Sequence, residues 1–334
     1  MIRFAIVGHG RIAAQHAAAI EATDEACLVA VADPDALARR SAEERWNCRS
    51  HASIDRLLAE EEIDAAIVCT PPALHLPHVE RLLFTGQHVL CEKPLAPTSR
   101  AARAMVQRAG AAGRTLMAST KFCFVPDLHE ARRRVEGGEI GRPLACEVAF
   151  CAPVAVAGGW MLRPELSGGG VVMDNGTHAF DVLATALGAD PVVLSAAFGP
   201  RVASPSVEDA AEIQIRIGEG IVGRIALSWS HFTKDLDYFV IHGTDGTIRV
   251  GWPGSQIRRH GDREWVPFGS GYDKTREFAS QLQDFLSVLR GGRPSVPPEQ
   301  AVKAVEFVEG VYRAEDWAAG LAGDADPRAG TLPR

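Results

Sequence analysis

Residues 8–13 read Gly-His-Gly-Arg-Ile-Ala, directly behind the apolar run Ile2–Val7 and at the head of a helical pattern. A G-x-G-x-x-A pattern alone says little, but between a strand and a helix it specifies one arrangement. Gly8 permits a tight turn, Gly10 lets a backbone approach a pyrophosphate, and Ala13 keeps helix and strand close. The helix start offers unpaired N–H groups to phosphate oxygens, so His9, Arg11 and Ile12 are expected against the same ligand. Asp33 ends the next apolar run, 20 residues after Ala13, where a carboxylate meets the ribose hydroxyls of an adenosine. That carboxylate repels a 2′-phosphate, and Pro34 rather than a basic residue follows it, so NAD is expected over NADP. Arg39 and Arg40 are expected to face solvent.

The first 120 residues repeat this rhythm. Apolar runs at Cys27–Ala32, Ala65–Cys69, His88–Cys91 and Thr115–Ser119 alternate with helical patterns at Arg11–Ala22, Pro34–Trp46, Ala73–Phe84 and Ser99–Ala112. The runs are nearly continuous in apolar character, as strands buried on both faces of a parallel sheet are. The expected fold is therefore α/β, with a doubly wound parallel sheet. After Lys121 the rhythm changes. A helix follows Pro126, then strand-like stretches at Leu144–Ala152, Val192–Phe198, Ala211–Ile217, Ile221–Ser230 and Tyr238–His242. Thr244-Asp245-Gly246-Thr247 is a hairpin signal, and helical stretches at Thr275–Arg290 and Glu299–Ala319 close the chain. This predicts a dinucleotide-binding domain over 1–121 and an α+β domain, with a mostly antiparallel sheet, over 122–334. The last dozen residues read as a frayed tail.

The 334 residues suit about two domains. A formal charge of −7, with no basic stripe, argues against nucleic acid. No uncharged run approaches the roughly 18 residues of a membrane helix. Seven cysteines, an odd number without a C-x-x-C, argue for a reducing compartment. The chain enters a core strand at once, leaving no room for a signal peptide, so a cytoplasmic location is expected.

Three further motifs carry chemistry. Cys69-Thr70-Pro71-Pro72 ends a buried strand at the sheet edge that faces a ligand crevice, with His75 close behind. Glu92-Lys93-Pro94 follows the next strand, where a partly desolvated Lys can exchange a proton with a substrate hydroxyl. Gly168-Gly169-Gly170 leads into a helix on which Asp174 and His178 share a face, with Asp181 on roughly the same side. A His beside a carboxylate is oriented and kept basic for proton transfer. His75-x-x-His78 is the one close His pair. It lacks a third ligand, so no metal is expected.

Taken together, Gly8-x-Gly10-x-x-Ala13, Thr70-Pro71, Glu92-Lys93-Pro94 and Gly169-Gly170-x-x-x-Asp174-x-x-x-His178 resemble the Gfo/Idh/MocA family (glucose–fructose oxidoreductase, inositol dehydrogenase, rhizopine catabolism) over the whole chain. The resemblance implies an NAD(P)-dependent oxidoreductase acting on a secondary carbon of a sugar, cyclitol or derivative. It also implies a Rossmann domain followed by a domain whose large open sheet builds a homodimer or tetramer. By it, Lys93 contacts substrate and nicotinamide, Asp174 and His178 are the acidic and proton-transferring residues, and Lys93–Pro94 can be cis. Thr70, Pro71, His75 and Glu92 join the cofactor contacts; Lys121, Trp160 and Arg163 are candidate substrate contacts. Two positions depart from the pattern: Cys123 stands where many members carry Arg, and Trp160 is followed by Met161 rather than Arg. The alternative is a catalytically silent dinucleotide sensor of the same fold, against which the intact Lys93, Asp174 and His178 count.

Overall fold

The computed structural model describes residues 1–154, 159–202, 206–218, 220–233 and 236–323; the expected frayed tail lies outside them. The first half comprises β1 (Ile2–Val7), α1 (Ala13–Glu21), β2 (Ala26–Ala32), α2 (Ala36–Trp46), β3 (Arg49–His51), α3 (Ile54–Glu60), β4 (Ala65–Val68), α4 (His75–Phe84), β5 (His88–Glu92), α5 (Ser99–Ala112) and β6 (Leu116–Ser119). All six strands are parallel, in the order β3-β2-β1-β4-β5-β6. The order reverses beside β1, so the carboxyl ends of β1 and β4 open a crevice there.

The continuous apolar runs are explained by burial on both faces. Phe4, Ile6 and Ile67 pack toward Ala13, Ala17 and Trp46, while Ala5, Val7 and Val68 pack toward Leu82, Met105 and Leu57. The segment β3–α3 carried no expected element. Its strand has three residues and alternates nothing, and α3 is set by the Ser53 side chain, which accepts from Arg56 N at 3.3 Å.

The second half contains α6 (Pro126–Glu136), β7 (Pro143–Cys151), α7 (Pro164–Ser167), α8 (Val171–Leu187), β8 (Pro191–Phe198), β9 (Ala210–Ile217), β10 (Ile221–Ser228), β11 (Asp237–Gly243), β12 (Gly246–Gly251), β13 (Ser255–Arg259), β14 (Val266–Gly269), α9 (Lys274–Leu289) and α10 (Pro298–Gly323). Among the described residues its eight strands run β14-β13-β12-β11-β7-β10-β9-β8, antiparallel except for the parallel pair β7/β10. The Asp245-Gly246 hairpin joins β11 to β12 as its sequence requires. The strands β13 and β14 were not anticipated, because they are short and rich in polar or exposed residues.

Strand β9 shows why the sheet has two unlike faces: Ala211, Ile213, Ile215 and Ile217 are buried, whereas Glu212, Gln214 and Arg216 are exposed. The buried face packs with Val172, Phe180 and Leu183 of α8. Val192 and Val222 remain exposed on strands of the same sheet.

The last two helices return to the first half. Phe278, Leu282, Phe285 and Leu286 of α9 pack with Phe4 and Ile6. Helix α10 joins both cores, through Val302 and Val305 on one side and Phe307, Val308 and Val311 on the other. This tie holds the two sheets together across the crevice.

Candidate active site

The glycine loop is built as its spacing requires. Gly8 has φ +89°, and a Cβ there would lie 2.9 Å from the Thr70 side chain and 3.0 Å from the Cys69 backbone. Gly10 is different: a Cβ there would meet no protein atom within 4 Å. Its backbone faces open space in the cleft, also lined by Arg11, Ile12, Thr70 and Lys93. Asp33 is drawn to this loop. Its carboxylate accepts from His9 N at 2.7 Å and from Asp35 N at 2.8 Å. Arg39, expected in solvent, is half-exposed rather than free. Its Nη1 folds back to donate to the carbonyls of Asp33 (2.8 Å) and Pro34 (2.9 Å), because a sharp turn leaves both oxygens free of a strand partner.

At the ends of β4 and β5, His75 is a clamp. It is 1 % exposed; its Nε2 faces the Thr70 carbonyl at 2.7 Å and its Nδ1 the Pro94 carbonyl at 3.0 Å. Both ring nitrogens face backbone carbonyls, and the one N–H of the neutral ring donates to one of them, so the structure does not present this side chain to the cleft. It fixes instead the two turns that carry Thr70-Pro71 and Lys93. The Lys93–Pro94 peptide is cis. His78, the other half of the close pair, lies 3.1 Å from Thr70 Oγ1. Among the described residues no three His, Cys, Asp or Glu side chains converge in a metal-binding group.

Glu92 lies beneath Lys93 and is buried. His16 Nε2 donates to its carboxylate at 2.8 Å, Ser119 Oγ at 2.7 Å, and Lys93 N at 3.1 Å. Burial alone would push this carboxyl up, but the hydrogen bonds from His16 and Ser119 and the nearby charges bring it down to about 2. Glu92 is therefore an ionised anchor that orients the Lys93 backbone.

Helix α8 supplies the opposite wall. Its glycine-rich entry is a packing requirement. A side chain on Gly169 would collide with Tyr312, and one on Gly170 with the Glu208 backbone. Glu208 accepts from Gly170 N (2.9 Å), Val172 N (3.1 Å) and Tyr312 Oη (2.8 Å), capping the helix. The helix then aims Asp174 and His178 at β5. Asp174 Oδ1 lies 2.5 Å from Lys93 Nζ, which also donates to the Asp174 carbonyl at 3.0 Å. This differs from the expectation that a carboxylate beside His178 orients it: the Asp174 carboxylate goes to the Lys93 ammonium, a full cation, whereas His178 is neutral.

His178 is instead buried against Phe122, ring centroids 4.9 Å apart, and among the described residues its Nδ1 has no hydrogen-bond partner. Burial first, then the charges of Lys93 and Lys121, hold its imidazole well below its ordinary range. The ring is a neutral base near pH 7. Asp181, one turn on, is fully buried, and burial pushes its carboxyl up to about 8 against the pull of Cys123 and Lys93.

The cleft between these walls holds about 620 Å³ and is completed by Lys121, Phe150, Trp160, Met161, Trp252 and Lys274. Trp160 is placed in it as the sequence suggests. Arg163 is not: it is exposed and paired with Glu165 at 2.7 Å, because the short turn Trp160–Leu162 points it outward. Lys274 and the aromatic wall of Phe150 and Trp252, with Tyr238 buried against both rings, were not anticipated. They come from strands and a helix far along the chain and carry no local motif.

These features suit a dinucleotide. The empty space over Gly10 admits a pyrophosphate at the start of α1, and the Asp33 carboxylate is held where ribose hydroxyls can meet it. A glycine loop and a Lys at the carboxyl edge of a parallel sheet, facing a carboxylate and a neutral His from a second sheet domain, define a two-domain dinucleotide-binding protein with acid–base groups at the crevice. The pattern of an oxidoreductase family with an NAD-binding Rossmann fold matches residues 2–120, and that of a GFO/IDH/MocA C-terminal domain matches residues 128–249. The chain belongs to the Gfo/Idh/MocA oxidoreductase family.

It is 31% identical over 268 residues to the 1,5-anhydro-D-fructose reductase of Ensifer adhaerens, covering 76% of this chain and 78% of the relative. With the inositol 2-dehydrogenase of Rhizobium meliloti (strain 1021) it shares 25% identity over 312 residues, 89% of this chain and 91% of the relative. In fold it is similar to a levoglucosan dehydrogenase solved with NADH and levoglucosan, with a TM-score of 0.85 at 19% identity, covering 95% and 97% of the two chains.

Proposed function

We propose that the protein is an oxidoreductase that transfers a hydride between NAD and a secondary carbinol or ketone of a sugar, cyclitol or sugar derivative. The observation that carries this reading is the meeting of Lys93, Asp174 and a neutral His178 at the mouth of the glycine-loop cleft. Residues 1–121 would hold the dinucleotide through Gly8–Ile12, Asp33, Thr70-Pro71 and the Glu92–Lys93 turn, and residues 122–334 the substrate. When bound, the nicotinamide supplies the hydride acceptor or donor.

In the oxidative direction the neutral His178 imidazole takes the hydroxyl proton. Lys93 donates to the carbinol oxygen and stabilises the charge that develops on it, a role for which Asp174 fixes its position. The aromatic side chains of Phe150, Trp252 and Trp160 that line the cleft exclude water from the reacting carbon. In reduction the same groups run in reverse. Asp33 favours NAD over NADP, and the seven free cysteines suit a reducing, cytoplasmic setting. The half-exposed second sheet is read as the face on which copies of the chain associate into a dimer or tetramer.

The test is a screen of inositols, hexoses, sugar acids and sugar phosphates with both cofactors, following the nicotinamide absorbance. Turnover of a polyol with NAD is the expected result. Tight cofactor binding with no turnover of any polyol or ketone in either direction would favour a silent sensor.

A further inference from the structure

The charges lining the cleft do not balance. Arg11, Lys93, Lys121 and Lys274 face it as cations, against Glu92 and Asp174. Asp174 is taken by Lys93, and Glu92 by His16 and Ser119. Arg11, Lys121 and Lys274 thus have no carboxylate partner among the described residues. A dinucleotide pyrophosphate falls to Arg11 and the start of α1, on the glycine-loop side. Lys121 stands on the other side, at the root of the second domain. Its Nζ lies 5.3 Å from the centroid of the Phe122 ring and 5.6 Å from that of Tyr272. Tyr272 Oη, on the same aromatic pair, is a buried hydroxyl without a partner among the described residues.

An ammonium held in this way, with another beside it on Lys93, is costly unless an anion completes the site. Burial first, and then the charge of Lys93, already press the Lys121 ammonium down to about 8.

We infer that the substrate carries an anionic group, a carboxylate or a phosphate, that Lys121 receives while the neighbouring carbinol lies at Lys93 and His178. This rests on the oxidoreductase reading and narrows its substrate class. Lys274 lies on the same cleft and adds to the field that draws an anion in. A sugar acid or sugar phosphate is then favoured over its neutral parent, because only the anion relieves the unpaired cations.

The experiment compares matched compounds: a hexose, its hexuronate and its 6-phosphate. Turnover is measured with NAD and NADP, and binding to the NADH-loaded protein by quenching of nicotinamide fluorescence. Expected is at least tenfold higher kcat/KM for one anionic member than for the hexose, with binding that weakens as salt rises. Which anionic member leads distinguishes carboxylate from phosphate. Lys121→Gln should lower the anion-to-neutral ratio at least tenfold, and Lys121→Arg should keep most of it. Equal use of hexose and anions, or a Lys121→Gln loss equal for both, overturns the inference. Absence of turnover alongside Lys121-dependent binding of an anionic sugar would sink the oxidoreductase reading and leave the anion site standing. Absence of both overturns the two together.

Discussion

Lys93 Nζ lies 2.5 Å from Asp174 Oδ1, although the two residues are 81 positions apart and belong to different sheets' ends of the molecule. Lys93 follows the last residue of β5, and Asp174 sits in the first turn of α8. The pair closes the cleft from both sides. It also leaves Asp174 bonded to Lys93, while His178 is neutral and, among the described residues, without a partner at Nδ1.

Removing either proton-handling group should stop turnover without unseating the cofactor. Lys93→Ala or His178→Ala should lower kcat by roughly 10²–10⁴, with a much smaller change in NADH affinity. If Lys93 and His178 act as a unit, the double variant should be little worse than the poorer single one. Steady-state kinetics with fluorescence titration of NADH decides this; near-normal turnover in either single variant removes that residue from the mechanism.

Cofactor choice should follow the Asp33 carboxylate, which His9 N and Asp35 N hold in place. Wild type should show higher kcat/KM with NAD than with NADP. Replacing Asp33 with Ser and Pro34 with Arg should move the ratio toward NADP by about 10²-fold, equivalent to roughly 2.7 kcal/mol. A wild-type preference for NADP would refute the role given to Asp33.

Stability should fall with pH because of Asp181. Its carboxyl ordinarily titrates at 3.8 but is held at about 8 in the folded protein, chiefly by burial. Between those values the folded chain keeps a proton that the unfolded chain has lost. The Asp181 contribution is thus intact below about pH 4 and lost progressively up to about pH 8. Asp181→Asn removes this titration. Relative to wild type, its unfolding free energy should rise from pH 4 to pH 8, by an amount on the order of a few kcal/mol. Denaturant melts at both pH values measure it; a difference that does not grow with pH would place the proton elsewhere.

The open face of the second sheet should be covered by another copy of the chain. Glu212, Gln214 and Arg216 alternate there with the buried residues of β9, and Val192 and Val222 are exposed on its neighbours. Light scattering at micromolar concentration should give a dimer or tetramer; a monomer would count against the association.

Much of the first sheet was legible in order. The strands β1, β2, β4, β5 and β6 are buried on both faces, so each writes its own apolar run. The exceptions, β3 and α3, are short and polar, and periodicity has nothing to act on there. In the second half β9 announces itself by alternation, whereas β13 and β14 lie at the exposed end of the sheet and leave no such trace. Arg163 shows the limit for site residues: adjacency to Trp160 says nothing of direction, and a three-residue turn points it to Glu165.

What the chain's order of residues determines by itself is local: the glycine turn, the Asp33 that follows β2, the Glu92-Lys93-Pro94 strand end, and the helix that bears Asp174 and His178. Each depends on contacts within a few residues or on one period of burial. Tertiary structure alone decided which of these meet, and in what state. The shift of Asp174 to Lys93, the neutrality of His178, the clamp made by His75 and the unpaired Lys121 all arise from charges and burial supplied by segments distant in sequence. Such fields act through space, over distances that only the docking of the two sheets by α9 and α10 brings about.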